Sequence, residues 1–245
     1  MADRIHKVLA NAGHGSRREI ETLIRNGKIS VNGKLATLGQ SISERDRIVI
    51  NSRPIRLHLE RKKNPKVLAY YKQAGEVCTR RDEKGRDTVF KNLPRLRNSR
   101  WVNIGRLDLN TMGLLLFTTD GELANKLMHP SGQIEREYAV RVLGEVTKEN
   151  IRTLLDGVEL EDGLAKFTDI VDSGGRGANH WYHVVVMEGR NKEVRRLWES
   201  QDVQVTRLIR TRFGSYILPR KKRAGQFWRL EDKEIEALQN SILSE

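Results

Sequence analysis

The sequence predicts an α+β protein in two unequal domains. A small unit of two helices and a hairpin-rich sheet is expected over residues 1–60. A larger domain over 66–245 is expected to carry a mixed, mostly antiparallel sheet. Three observations carry this. Beyond residue 66, helical and strand-like runs alternate without repeated strand–helix–strand units. Arg61-Lys62-Lys63-Asn64-Pro65 is polar, charged and closed by proline, which is how a linker reads. The charge is also uneven: residues 1–65 hold 14 basic and 6 acidic residues, a large share of a net +13 for the whole chain.

In the first domain, Ile5, Val8, Leu9 and Ala12 recur at helical spacing, and Gly13 and Gly15 end that helix. Ser16-Arg17-Arg18-Glu19 has the spacing of a capping box and opens a second helix with Ile20, Leu23 and Ile24 on its apolar face. Asn26-Gly27 closes it. A strand over Ile29–Val31, an Asn32-Gly33 turn and a strand over Ile48–Ile50 complete the unit.

In the second domain, strands are predicted at Val67–Tyr71, Leu114–Thr118, Tyr138–Val142 and His183–Met187. A helix after Asp120-Gly121 turns Leu123, Ala124, Leu127 and Met128 inward and stops at His129-Pro130. A second helix over Asn191–Ser200 buries Val194, Leu197 and Trp198, and Ile235–Leu243 reads as a short amphipathic helix. The glycine-rich Ser173–Gly177 lies between two strand-like runs, which suits a hairpin turn better than a phosphate cradle.

Composition narrows the function. A pI near 10.0 attracts polyphosphate backbones, and the excess concentrated in one quarter of the chain suggests a dedicated nucleic-acid-binding module. Arg17, Arg18, Arg25 and Lys28 cluster around the second helix and are the candidate phosphate contacts. The single cysteine, Cys78, rules out an internal disulfide and a Cys-rich zinc site. The opening Met1-Ala2-Asp3-Arg4 leads into a helical pattern with no apolar signal core, and no run is long enough for a membrane helix, so a cytoplasmic protein is expected. Nucleotide-phosphate loops, metal-binding H-E-x-x-H helices and zinc-deaminase patterns are all missing. His180 and His183, three apart on a strand, point to opposite faces and do not read as a metal pair.

What remains is Gly105-Arg106-Leu107-Asp108, followed by Leu-Asn-Thr-Met-Gly and a buried strand. Taken alone, Asp108 is an acidic residue in a polar loop and suits a turn or cap; Asp120, before a glycine and a helix, reads the same way. The stretch from Arg4 through Gly15-Ser-Arg-Arg-Glu19 to Gly27–Gly33 resembles the S-four RNA-binding domain. Gly105-Arg-Leu-Asp108 with Thr111–Gly121, together with Val77–Arg80, Thr88–Phe90, Glu135–Val140 and Glu188–Leu197, resembles the ribosomal pseudouridine synthases that carry that domain in front of a catalytic one. Met128-His-Pro130 and Arg136-Glu-Tyr138 are most similar to the branch acting on large-subunit (23S) ribosomal RNA near the peptidyl-transferase centre. The sequence departs from the family at Lys72-Gln73, where relatives usually have Lys-Pro.

The resemblance implies isomerisation of a uridine to pseudouridine without cofactor or metal. It makes Asp108 the nucleophile, Tyr138 the aromatic that packs on the base and helps a proton transfer, and Arg195 the ion-pair partner of Asp108. Arg106, apart from the resemblance, is a candidate either for an RNA phosphate contact or for support of the loop. Whether the carboxylate adds to the anomeric carbon or removes a ribose proton stays open. The implied partner is ribosomal RNA, as 23S RNA or a large-subunit assembly intermediate, bound by a monomer with no membrane and no nucleotide cofactor. A non-catalytic ribosome-assembly factor and the same chemistry on small-subunit RNA are the competing readings. An RNA methyltransferase would need a glycine-rich nucleotide loop after a strand, and there is none.

Overall fold

The computed structural model describes residues 3–57, 65–97, 99–177 and 179–242. The linker expected at Arg61–Asn64 lies outside them, as does Leu243. The chain forms two compact units: Met1–Pro65 with Pro94–Val102 and Thr119–Gly121, and Lys66–Leu93 with Asn103–Thr118 and Glu122–Glu245.

The first unit runs β1 (Asp3–Arg4), α1 (Ile5–Asn11), α2 (Arg17–Arg25), β2 (Ile29–Val31), β3 (Lys34–Leu35), β4 (Ser41–Ile42), β5 (Ile48–Ile50) and β6 (Arg53–Ile55). Ser16 caps α2 through the reciprocal bonds expected of a capping box, its Oγ accepting from the Glu19 amide at 3.1 Å while Glu19 accepts from the Ser16 amide at 2.7 Å. Asn32 and Gly33 both have positive φ (51° and 82°), as a tight two-residue hairpin requires. Strands β3-β2-β5-β6 form a four-stranded sheet, and β1 pairs with β4. Ile5, Leu9, Ile20, Ile29, Ile42 and Ile48 meet in one core.

The second unit is built on a nine-stranded sheet. Its strands are β7 (Val67–Lys72), β8 (Val102–Ile104), β9 (Met112–Thr118), β10 (Arg136–Leu143), β13 (Asp169–Arg176), β14 (Asn179–Val186), β15 (Gln204–Phe213), β16 (Tyr216–Ile217) and β17 (Phe227–Arg229). The order is β13-β14-β10-β15-β9-β7-β17, with β16 against β15 and β8 against β9. Every described strand pair of this sheet is antiparallel except β9 with β15, so the fold is the mixed, mostly antiparallel α+β one expected. Helices α3 (Gly121–Met128), α4 (Lys148–Asp156), α5 (Glu193–Glu199) and α6 (Asp232–Asn240) and a small hairpin, β11 (Val158–Leu160) with β12 (Gly163–Ala165), complete the chain.

Burial explains these choices. Strands β7 and β9 are apolar along almost their whole length because both faces are covered, whereas β10 alternates with period two. In α3, Leu123, Ala124 and Leu127 are buried as expected, but Met128 is 38% exposed. The helix ends there, and its last side chain lies past the covered face. The glycine-rich 173–177 stretch is only partly a turn: Asp172–Gly175 is a bulge within β13, and the chain reverses after Gly177. Strand β13 is an exposed sheet edge.

Candidate active site

The loop Gly105–Thr111 enters β9, and the main chain dictates its shape. Gly105 has φ +77°, accessible to glycine without strain. At Gly113 (φ +104°) β9 runs so close to β15 that a Cβ would stand 2.3 Å from the Arg210 carbonyl oxygen.

The loop's carbonyls are almost all taken. Asn103 donates to Gly105 O at 2.7 Å, and the Cys78 thiol to Leu107 O at 3.3 Å. The Thr111 amide returns to Asp108 O at 3.1 Å, and the Gly75 amide reaches Leu109 O at 2.9 Å. The Lys72 ammonium sits at the centre. It is fully buried and donates to Gln73 O (2.9 Å), Asp108 O (3.0 Å), Leu109 O (3.2 Å) and Thr111 O (2.9 Å). Burial lowers its pKa, because the charged form gives up hydration, with the nearby Cys78, Glu76 and Asp108 pulling the other way.

Asp108 is therefore fixed through its backbone. Its half-buried carboxylate makes no hydrogen bond or ion pair with any described residue. That is an unusual way to leave an acidic turn residue, since a turn or cap aspartate spends its side chain on nearby amides. Cys78, in contrast, is pushed toward the neutral thiol by burial, so it is poorly suited to act as a nucleophile.

Arg195 on α5 approaches the same loop, but not as expected. It forms no ion pair with Asp108. Its guanidinium donates to Val205 O at 3.0 Å and to Asn110 O at 3.4 Å. Its two described bonds go to main-chain carbonyls, so Arg195 ties α5 to the start of β15 and to the residue two past Asp108. Next to it, Arg196 holds Asp162 through two bonds of 2.7 and 2.9 Å.

Tyr138 lies on β10, two strands from β9 in the sheet order, and is 9% exposed. It stands beside a register shift at Glu137/Tyr138, a bulge of the kind that re-aims a side chain. Across from it on β15 is Arg210, 1% exposed, whose Nε donates to Leu114 O at 2.7 Å and whose guanidinium lies 5.3 Å from the Phe213 ring centre. No described hydrogen bond joins Tyr138 to Asp108 or Arg195. Arg210 stands between the strands concerned: its backbone neighbours Tyr138 on β10 and Gly113 on β9. Arg106, within the loop, is exposed.

Lys72 and Arg210 are the two residues that the sequence did not reveal as part of this site. One trace was visible for Lys72, a cation closing the otherwise apolar run Val67–Tyr71, where a charge is retained only with partners; Arg210 is one of three arginines in β15 and stands out in no such way.

In the first unit, Arg17 and Arg18 open α2, Arg25 ends it and Lys28 follows. All four are exposed, and none pairs with a described carboxylate. Arg18 and Arg25, seven apart, share one helix face.

His180 bonds Asp172 and His183 bonds Glu137 (2.8 Å), so the two histidines do not converge. No helix among the described residues is long and apolar enough to cross a membrane.

Residues 66–200 match the family described as RNA pseudouridylate synthase, and residues 3–48 match the S4 domain. The ribosomal large subunit pseudouridine synthase B of Vibrio cholerae is 54% identical over 243 residues, covering 99% of this chain and 76% of that protein. Its counterpart in Escherichia coli (strain K12) is 56% identical over 222 residues, covering 90% and 76%. A solved structure described as a pseudouridylate synthase superposes with a TM-score of 0.66 at 22% identity, over 96% of this chain and 99% of that one, a likeness of fold.

Proposed function

This chain belongs to the RNA pseudouridylate synthase family, and on that premise we propose that it isomerises a uridine of large-subunit (23S) ribosomal RNA to pseudouridine with Asp108 as the reacting carboxylate. The observation that carries the residue assignment is the loop itself. Its carbonyls are held by Lys72, Asn103, Cys78, Gly75 and Arg195, while the Asp108 carboxylate is left unengaged. A group so fixed pays little ordering cost when a substrate arrives.

The reaction breaks the bond between uracil N1 and the ribose anomeric carbon. The ring rotates, C5 bonds to that carbon, and the C5 proton leaves while N1 regains one. Addition of the carboxylate to the sugar and removal of a ribose proton both require an unengaged carboxylate at the ribose, and the Asp108 side chain, unpaired among the described residues, supports that reading. Tyr138 offers an aromatic face to the detached ring and a hydroxyl that can shuttle a proton, taking up the one lost from C5 as it passes its own on toward N1 or solvent. Arg195 acts by holding Asn110, hence the loop. The target nucleotide must leave its stack, which is least costly in a loop or bulge. Arg17, Arg18, Arg25 and Lys28 grip the RNA backbone, with Arg106 at the site. The proposed setting is a cytoplasmic monomer acting near the peptidyl-transferase centre, on 23S RNA or a large-subunit assembly intermediate.

The test is tritium release from unmodified ribosomal RNA labelled at uracil C5, followed by mapping of the modified position. Release by the wild type and none by Asp108→Asn is the expected result. An RNA-binding protein that releases no tritium, from bare RNA or from assembling particles, would instead be an assembly factor.

A further inference from the structure

The end of the second unit carries a charge pattern that the reaction does not use. From Gly214 to Leu230 there is no acidic residue, and Arg220, Lys221, Lys222, Arg223 and Arg229 are basic. A run of this kind is ordinarily a solvated loop, but here it is pinned. The Tyr71 amide donates to Gln226 O at 2.9 Å, and the Gly225 amide donates to Tyr71 O at 2.8 Å. Within the loop, Lys222 N reaches Pro219 O (3.0 Å), Gln226 N reaches Arg223 O (3.1 Å), and Gln226 Oε1 accepts from Arg223 N (3.0 Å). Trp228 Nε1 donates to the Tyr216 hydroxyl at 2.7 Å, tying β17 to β16, and the Lys222 ammonium lies 4.9 Å from the Trp228 ring centre.

Arg220, Lys221, Arg223 and Arg229 are exposed and form no ion pair with a described carboxylate. Phe227, among them in sequence, is 43% exposed. Fixing like charges side by side costs repulsion, and a rigid loop cannot relieve it by spreading. A polyanion relieves it, and the bonded loop backbone has little ordering entropy left to lose.

We propose that the loop 219–229 is a second phosphate-binding surface for the ribosomal RNA substrate, carried on the catalytic unit in addition to the cations of the first unit. This rests on the reading that RNA is the substrate. The grip is on backbone phosphates and is independent of base sequence.

The experiment uses the full chain and a fluorescent, unmodified large-subunit ribosomal RNA fragment, with Kd measured across a salt series. The triple variant Arg220→Ala/Lys221→Ala/Arg223→Ala spares Lys222, which packs on Trp228. It should weaken binding about tenfold or more near physiological salt and lower the salt slope by about 2 to 3, one step for each phosphate left without its cation. KM should rise while kcat at saturating RNA stays unchanged. Arg152→Ala, an exposed cation on α4 paired with Asp156, should change neither. If thermal unfolding shows the triple variant misfolded, Arg220→Gln/Arg223→Gln takes its place. An unchanged Kd and slope overturns the proposal, as does an effect equal to that of Arg152→Ala. Should the wild type bind RNA yet release no tritium, the catalytic reading fails and the slope still decides this one.

Discussion

The Nζ of Lys72 lies 3.0 Å from the main-chain oxygen of Asp108, and the same ammonium holds three further carbonyls. Replacing it with an isosteric apolar chain leaves those carbonyls buried without their donor. Lys72→Met is expected to cost about 2–4 kcal/mol in denaturant unfolding. It should also lower tritium release well beyond what the loss of folded protein explains. A variant of wild-type stability and activity would show that the cage does not hold the loop.

The proposed reacting carboxylate, Asp108, and the proposed stacking aromatic, Tyr138, should separate cleanly in kinetics. Asp108→Asn preserves shape and is expected to reduce turnover to background with RNA affinity unchanged, read by tritium release and gel shift on the same preparation. Tyr138→Phe keeps the ring face and removes the hydroxyl, so it should lower kcat and leave KM near wild type. Tyr138→Ala should lose both. Equal activity of the Phe and Ala variants would count against a role for the ring.

Arg195 spans two carbonyls, Val205 O and Asn110 O, with two different nitrogens. A lysine presents one point charge and cannot reproduce the fork. Arg195→Lys is therefore expected to lower kcat about tenfold or more through a loosened loop, with RNA binding little affected. An unaltered kcat would show that the fork to Asn110 is dispensable.

Much of the fold is legible from the residues. The Ser16–Glu19 capping box, the Asn32-Gly33 hairpin and the apolar β9 run are local signals with one physical reading each. Strands of two or three residues, such as β1, β4, β6 and β16, carry no period and leave no signal. Lys72 reads as the start of an altered turn, because its role depends on a loop some 36 residues away in sequence. The pairing of Arg195 with Asp108 comes from resemblance alone, and the structure instead gives Arg195 main-chain partners.

Gly113 should tolerate no side chain. Its φ of +104° and the 2.3 Å approach of a Cβ to Arg210 O make both backbone and neighbour resist. Gly113→Ala is expected to cost about 2–4 kcal/mol and to impair the site, since β9 and β15 carry Asp108's loop and Arg210 respectively. Thermal unfolding indistinguishable from wild type would refute the close approach.

Glu193, at the start of α5, is nearly buried, and burial raises its carboxyl above the ordinary value of 4.5. The folded state thus holds this proton more tightly than the unfolded one. Stability from this group is present below pH 4.5 and is lost as pH rises through the raised value. Glu193→Gln should match wild type in acid and become progressively more stable than it on moving toward neutral pH, measured as Tm against pH. A Tm difference that does not change with pH would be inconsistent with this.

The bulge at Asp172–Gly175 bears on how the protein behaves when concentrated. Strand β13 is long and exposed, and it offers a row of backbone groups to any passing strand. The bulge breaks the even spacing that such a seam needs, and the exposed carboxylates of Asp169 and Asp172 repel a second copy of the same edge. Removing Gly174 and neutralising those two aspartates would straighten the rim, turning a sheet that ends in solvent into one that continues from molecule to molecule.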